Sequence, residues 1–282
     1  MYTGIVPYEL RKTKKLGQLH VDQLVWPRNK PSNALHVRDL GENDHIVIFP
    51  YSKTVLTANT QVKCKVSLII FEPRVIHARY FNIISILRYL FHNILVRDPK
   101  LASKYNNVLS LSLAQLYVDI DNLKLPDFLQ RHGISLIASM KNDLEGHKLR
   151  HQLITLDKSH THQLLTPLGR AYKQFDDVVT ALAPFRYSVI IENCIEAHYF
   201  TEKLLNCLAC KTVPIYWGHE SVKQYFDTSN WLFFNDLEDG YEKINFASSG
   251  EHVVSQNKIH ENYEKAKSYK NLYKRMYEKI TE

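Results

Sequence analysis

Short apolar runs rich in β-branched residues recur along this chain and alternate with stretches of helical periodicity. Two of these runs, SLIIF and SVIIE, are apolar at nearly every position, which is typical of strands buried on both faces of a parallel sheet. The predicted strands are His45–Phe49, Lys65–Phe71, Asn93–Arg97, Val108–Leu113, Ile134–Ser139, Tyr187–Glu192, Thr212–Trp217 and Trp231–Phe234. Predicted helices lie at about 75–90, 143–156, 171–182, 200–210, 219–226 and 251–279. This alternation predicts an α/β fold.

A polar stretch that contains a proline, YVDIDNLKLPDFLQRHG, separates two strand-bearing halves. We therefore predict an N-terminal domain over residues 1–120 and a C-terminal domain over residues 121–282. The segment from Glu251 onward is rich in Lys, Glu and Tyr, and we predict one long amphipathic helix there, with its charges on a solvated face.

The chain is basic, with a formal net charge of +7. Such a surplus suits an anionic partner, namely a nucleotide, a nucleic acid or an acidic membrane surface. The basic residues are dispersed and no nucleic-acid-binding signature is present, so we expect no nucleic-acid partner. The sequence contains no GxGxxG, Walker A or GxSxG motif. A nucleotide diphosphate would therefore have to be neutralised by Lys or Arg side chains and helix N-termini.

Four cysteines are too few for a disulfide framework in a chain of 282 residues, and they favour a reducing compartment. Cys207 and Cys210 form a CxxC in a predicted helix, and we expect both to be buried and structural rather than metal-binding or redox-active. No leader peptide and no membrane-spanning run is recognisable, since the longest candidate, FNIISILRYLF, is interrupted by Arg88. We expect a cytoplasmic protein, with peripheral contact at the cytoplasmic membrane face as an option.

The segment at 185–218 holds the densest group of candidate site residues. A predicted strand ends at Glu192 and Asn193, which places them at the carboxyl edge of the sheet, where open α/β folds bind ligands. The next helix begins at Thr201, a suitable N-cap, and carries Glu202 and Lys203 in its first turn. The lysine suits an anionic ligand at that helix end. The alternative is that the glutamate only stabilises the helix and the lysine is solvated.

This segment resembles the C-terminal signature of the α1,3-fucosyltransferases, glycosyltransferase family 10. The matching blocks are Ile191-Glu192-Asn193, Tyr199 to Lys203, and Thr212 to Gly218 (TVPIYWG), in the family's order. The resemblance continues upstream over SLIASMKND and the basic helix GHKLRHQLI, although Met140 stands where the family usually has Asn.

The resemblance implies a GT-B type fold, in which two Rossmann-like domains face a central cleft. The N-terminal domain is then the acceptor side and the C-terminal domain binds the nucleotide sugar. It also implies a GDP-fucose donor, an acceptor glycan such as a lipopolysaccharide, inversion at the anomeric carbon, and no obligatory metal or other cofactor. The chain is similar to the soluble bacterial or viral members of the family.

The family's residues map onto this sequence as follows. Arg150 helps to hold the donor diphosphate, with His147 and Lys148 as competing candidates, and Lys203 neutralises the same group. The remaining donor-binding positions are Glu192, Asn193, Tyr199 and Glu202. The family's general base follows a strand of the first domain, and Glu72, after KVSLIIF and before Pro73, matches that position. A capping or salt-bridged glutamate is the alternative for Glu72.

Two other patterns point to metal chemistry. Asp119-Ile120-Asp121 is a DxD, which metal-dependent transferases of another fold use to hold a divalent cation, but it lies in the predicted linker. His147 and His151 have helical spacing for zinc, but HKLRH lacks the glutamate of HExxH. Neither pattern leads us to expect a metal site. A transferase of the same fold with another nucleotide sugar, and a non-catalytic basic protein that binds glycan or nucleic acid, remain as functional alternatives.

Overall fold

A computed structural model describes residues 1–282, with every side chain except that of Ser52. The chain forms two compact units, each built on a five-stranded parallel sheet, which confirms the α/β prediction. The first unit comprises Met1–Leu113 and Asn271–Glu282, and the second comprises Ala114–Lys270. Within the described part of the chain, no helix is long and apolar enough to span a bilayer.

The sheet of the first unit has its strands in sequence order, β1-β2-β3-β4-β5. These strands are β1 (Thr3–Ile5), β2 (His45–Ile48), β3 (Lys65–Ile69), β4 (Ile94–Val96) and β5 (Val108–Ser110). The connecting helices are α1 (Ser52–Gln61), α2 (Arg74–Asn82), α3 (Ile84–Leu87) and α4 (Pro99–Ala102). The sequence predicts one helix at 75–90, but the structure has two, α2 and α3, because Ile83 between them is not in the helical conformation.

The second unit has the strand order β10-β9-β8-β6-β7, so the chain reverses direction across the sheet after β7. Its strands are β6 (Ile134–Ile137), β7 (Leu165–Leu168), β8 (Tyr187–Ile191), β9 (Val213–Trp217) and β10 (Leu232–Phe233). Its helices are α5 (Glu145–Ser159), α6 (Val178–Leu182), α7 (Glu202–Ala209), α8 (Leu237–Ser249) and α9 (Gln256–Lys267). Separate apolar clusters cover the two faces of this sheet.

The prediction of a single long helix over 251–279 is wrong. The structure has α9, then a break at 268–271, then α10 (Leu272–Thr281). Asn271 is the N-cap of α10, and its side chain accepts a hydrogen bond from the Lys274 amide. In α10, Leu272 and Met276 are buried against strands of the first unit. The helix thus returns the chain to the first unit, whereas the sequence placed the whole C-terminus in the second domain.

The strand order of the first unit explains why α10 is needed there. Crossovers between parallel strands are right-handed, so a sheet wound in one direction receives all its connecting helices on one face. The apolar side chains of that face, among them Ile46, Leu68 and Ile94, belong to one buried cluster beneath helices α1 to α3. The opposite face, with Val47 and Ile69, lacks a crossover helix and is covered by α10.

Candidate active site in the second unit

One cavity of the second unit lies where strand order reverses, beside the carboxyl ends of β6 and β8. Open α/β sheets bind ligands at this point, because the loops that follow the two strands diverge there. The cavity has a volume of about 370 Å³. Its polar lining comprises Ser139, Lys141, His147, Arg150, Asn193, Glu202, Lys203 and Asn206. The structure therefore brings four of the seven predicted site residues, Arg150, Asn193, Glu202 and Lys203, to one cavity.

Glu192, another predicted site residue, does not line the cavity but is buried next to the residues that do. Its side chain is fully buried at the end of β8. Its two carboxylate oxygens accept hydrogen bonds of 2.8 Å from the backbone amide and the hydroxyl of Thr201. Burial raises the pKa of Glu192, while Lys203 and the two Thr201 bonds oppose that rise. The carboxylate thus joins the strand end to the start of α7 and holds Lys203 in place.

The first turn of α7 carries the cation that faces the cavity. Thr201 is the N-cap, as predicted, and its hydroxyl accepts a hydrogen bond from the backbone amide of Lys203. The Lys203 ammonium lies 3.0 Å from the Thr201 hydroxyl and 3.7 Å from a Glu192 oxygen. With 28% of its side chain exposed, Lys203 is held at the cavity rather than free in solvent.

Arg150 supplies a second cation from α5. Only 5% of the residue is exposed, and its guanidinium donates hydrogen bonds to the backbone oxygen of Ile191 and, at 3.4 Å, to the Asn193 side-chain oxygen. Burial lowers the pKa of Arg150, and the nearby Glu192, Tyr199 and Glu202 counteract the shift. A guanidinium stays protonated at physiological pH, so Arg150 is a fixed positive charge in the cavity wall.

Tyr199 is buried, with 4% exposed, and its side chain lies near enough to Arg150 to influence that residue's pKa. The residue before it, His198, has a positive φ of 62°, a conformation that non-glycine residues rarely adopt. The His198 backbone amide donates to the Ser221 hydroxyl at 2.7 Å, and its ring nitrogen lies 2.9 Å from the Tyr225 hydroxyl. These contacts hold the strained turn that leads into α7.

Gly146 sets how closely α5 approaches the end of β8. Its amide donates to the Asn193 backbone oxygen at 3.2 Å. A Cβ atom at this position would lie 1.8 Å from the Glu192 backbone oxygen, which is far inside van der Waals contact. Only glycine therefore lets the first turn of α5 reach the strand end and place Arg150 against Asn193.

We expect Gly146→Ala to destabilise the second unit by about 1–3 kcal/mol, because the helix must move away from β8. The matched control is Gly41→Ala, where an added Cβ atom would lie in ordinary van der Waals contact, 3.7 Å from the Asp44 carboxylate. Denaturant unfolding of both variants measures the effect, and an unchanged stability of the Gly146→Ala protein would contradict it.

Glu72 belongs to the first unit. It follows β3, and Pro73 is the N-cap of α2, so the glutamate lies in the turn between strand and helix, as predicted. It is half-buried. After burial itself, the charge of Glu72 is the main cause that raises the pKa of Tyr8. Tyr8 in turn packs on Phe49, with ring centroids 5.2 Å apart, so Glu72 lies beside a cluster of aromatic rings.

Three polar residues of the cavity are new relative to the sequence prediction: Ser139, Lys141 and Asn206. Ser139 and Lys141 follow β6, and Asn206 lies one turn along α7 from Lys203. Lys141 is the most consequential because it adds a third permanent cation to the cavity. The signal that could have found it is the position just after a strand end, but only the strand order shows that β6 lies next to β8.

The acidic and histidine side chains of the two metal-like sequence patterns are bonded to other protein groups in the structure. Asp121 pairs with Lys270, and Asp119 accepts a hydrogen bond of 2.8 Å from Asn122. His147 bonds Asp143 at 2.7 Å, while His151 bonds the Tyr172 hydroxyl at 2.9 Å, so the two histidines have different partners. In the described part of the chain, no group of three His, Cys, Asp or Glu side chains converges on a common point.

The predicted burial of the CxxC cysteines is confirmed, because Cys207 in α7 and Cys210 directly after it are buried free thiols. Burial raises the pKa of both thiols, to about 12 for Cys210, which suppresses the reactive thiolate.

Comparison with known proteins identifies relatives of this fold and sequence. Residues 136–274 match the profile of the C-terminal domain of glycosyltransferase family 10 (fucosyltransferase). An α-(1,3)-fucosyltransferase, FucT of Helicobacter pylori, is 29% identical over 65 residues, which are 23% of this chain and 14% of that enzyme.

Two crystal structures of α1,3-fucosyltransferase resemble most of the chain, across both units. One has a TM-score of 0.54 and 17% identity and covers 85% of this chain and 82% of its own. The other, solved with GDP, has a TM-score of 0.50 and 14% identity and covers 87% and 82%. These likenesses show that the fold is of the GT-B type. Over residues 136–274, just under half of its length, the chain thus matches the C-terminal domain of glycosyltransferase family 10, a family of fucosyltransferases.

Proposed function

We propose that this protein is an inverting glycosyltransferase that transfers fucose from GDP-fucose to a hydroxyl group of an acceptor glycan. The observation that carries the proposal is the convergence of Arg150, Lys141 and Lys203 on one cavity at the carboxyl edge of the second sheet. The family 10 match supports fucose as the transferred sugar. The structural neighbour solved with GDP supports guanosine diphosphate as the nucleotide.

The chemistry of the transfer explains why cations are placed there. When the bond between the anomeric carbon and the diphosphate breaks, negative charge develops on the leaving GDP, and fixed positive charges lower the barrier. Arg150 and Lys203 are held in place by hydrogen bonds, so little reorganisation is needed when the charge develops. In this proposal the two side chains neutralise the diphosphate, and no obligatory metal ion is required.

The other residues of the second unit position the donor. Glu202 and Asn193 line the cavity and would accept or donate hydrogen bonds to ribose and sugar hydroxyls. Glu192 and Tyr199 are buried and do not line the cavity. Glu192 would position Lys203, and Tyr199 would position Arg150.

Inversion requires a single displacement, in which a base removes the proton from the acceptor hydroxyl as the diphosphate leaves. We assign this role to Glu72, the half-buried carboxylate after β3. The assignment rests on its position at a strand end and on the similarity of that position to the family's base. The attacking oxygen then forms the new glycosidic bond while Glu72 receives the proton.

A thermal-shift comparison of GDP, UDP, CDP and ADP tests the donor assignment. A ligand that binds only the folded protein at a hundredfold excess over its Kd stabilises it by about 2.7 kcal/mol. We expect GDP to raise the unfolding temperature and the other nucleotides to have little effect. Stabilisation by a different nucleotide would indicate a transferase of the same fold with another donor. No stabilisation by any of them would contradict a nucleotide-dependent function and favour a non-catalytic binding protein.

A further inference from the structure

The helices over the first sheet expose apolar side chains on the side that faces solvent. Ile76 is 47% exposed, Ile83 43%, Ile86 65% and Leu90 39%, and Arg79 lies among them. They recur every three or four residues along α2, Ile83, α3 and the turn after α3. We call these five residues the α2–α3 face.

The opposite side of the same segment already supplies the core. Tyr80, Ile84, Leu87 and Phe91 repeat at the same spacing, and all four are buried. The segment is therefore apolar on two sides, whereas a helix on the surface of a protein normally has only one apolar stripe. The isoleucines of the α2–α3 face are consequently not required by the core of the first unit.

Neighbouring residues extend this surface. Tyr89, next to Leu90, is 74% exposed, and Leu56 on α1 is 72% exposed. The side chain of Asn59, one turn after Leu56, donates a hydrogen bond to the backbone oxygen of Leu90. This bond joins α1 to the turn that follows α3.

The charge of this region is strongly one-sided. Residues 45–97 contain seven Lys and Arg residues, of which Arg97 is buried, and a single acid, Glu72, while Asp44 and Asp98 flank this stretch. Arg74, Arg79, Lys53 and Lys63 are exposed on α1, on α2 and after α1. A surface with aliphatic side chains among such cations matches the interface of an anionic bilayer, where apolar groups enter the acyl boundary and cations meet the headgroups.

We propose that the α2–α3 face binds the surface of a membrane that contains anionic lipids. Two other occupants fit less well. A second copy of the chain would bring two surfaces of the same sign together, which is unfavourable. Single-stranded nucleic acid is bound by planar rings on which bases stack, whereas the exposed residues of the α2–α3 face are mainly branched aliphatic chains. The proposal does not depend on the transferase assignment, because none of its residues is placed in the donor site.

Vesicle co-sedimentation of the full chain tests this proposal. We expect binding to vesicles of 70% phosphatidylcholine and 30% phosphatidylglycerol, weak binding to pure phosphatidylcholine, and loss of binding between 0.1 and 0.5 M NaCl, where charges are screened more strongly. The double variant Ile83→Glu/Ile86→Glu should bind at least about tenfold more weakly, as should Arg74→Glu/Arg79→Glu. A Tyr89→Trp variant should show a blue shift of its fluorescence with anionic vesicles.

Two controls match these changes in the second unit. Val253→Glu adds an acid at an apolar side chain that is 88% exposed, and Lys124→Glu reverses an exposed charge. Both should bind vesicles as the unchanged protein does, and GDP-induced thermal stabilisation should be the same for all variants. The proposal is overturned if the unchanged chain stays in the supernatant, or if Val253→Glu weakens binding as much as the isoleucine variants. It is also overturned if the face variants abolish binding of a 20-nucleotide single strand while vesicles are not bound.

Discussion

Glu72→Gln is expected to lower the rate of fucosyl transfer by about 10²–10⁴-fold, the usual contribution of a general base. The amide has nearly the same shape as the carboxylate but cannot take the proton of the acceptor hydroxyl. GDP should still bind with unchanged affinity, since the proposed nucleotide contacts are residues of the second unit. Transfer to a glycan acceptor and GDP titration, measured on the same preparation, separate the two effects.

Glu9→Gln is the matched control for that experiment. Glu9 is an exposed acid of the first unit, and its charge also acts on Tyr8, although less than that of Glu72. Its replacement should leave transfer unchanged. Near-normal transfer by the Glu72→Gln protein would reject Glu72 as the base and would favour a structural role for it at the start of α2.

Lys203→Ala is expected to reduce turnover by about 10²–10³-fold, the usual loss when one fixed group that stabilises transition-state charge is removed. The methyl group cannot neutralise the departing diphosphate. Donor hydrolysis should fall together with transfer, because both reactions break the same bond. Lys223→Ala provides the control, since Lys223 is an exposed lysine whose ammonium lies 3.7 Å from Glu220.

The same variant also has a structural consequence, because Lys203 lies 3.7 Å from the buried Glu192. Without Lys203, the buried Glu192 keeps its hydrogen bonds from Thr201 but loses a nearby positive charge, which destabilises the fold. The double variant Lys203→Ala/Glu192→Gln removes that charge and should recover much of the stability without recovering activity. Recovery of turnover in the double variant would show that Lys203 acts only by supporting Glu192.

The positions of the candidate residues in the fold were largely predictable, because the signals for them are local. Glu192 and Asn193 end a run of apolar residues, so their place at a strand terminus follows from the sequence. Thr201 precedes an acid and an amphipathic helix, which predicts an N-cap. Arg150 lies on a helix with a clear pattern, and its burial at 5% exposure is the part that sequence could not predict.

The errors arose where local pattern and tertiary contact differ. Residues 171–177 were predicted to be helical, but Asp177 caps α6, which begins at Val178. Residues 220–224 form a short 3₁₀ turn rather than an α-helix. Strands β1 and β7 were not predicted, because three residues (TGI) and a proline-containing edge strand (LTPL) carry little strand signal by themselves.

By itself the sequence determined the α/β class, eight of the ten strands, and the presence of the polar residues Glu192 and Asn193 at the end of β8. These features depend on residue type and periodicity within short stretches of the chain. Only the tertiary structure decided that β6 lies beside β8, which brings Lys141 into the cavity with Arg150 and Lys203. It also decided that α10 covers the first sheet. Both results depend on strand order and on which apolar face remains uncovered, and these are properties of contacts between residues far apart in the chain.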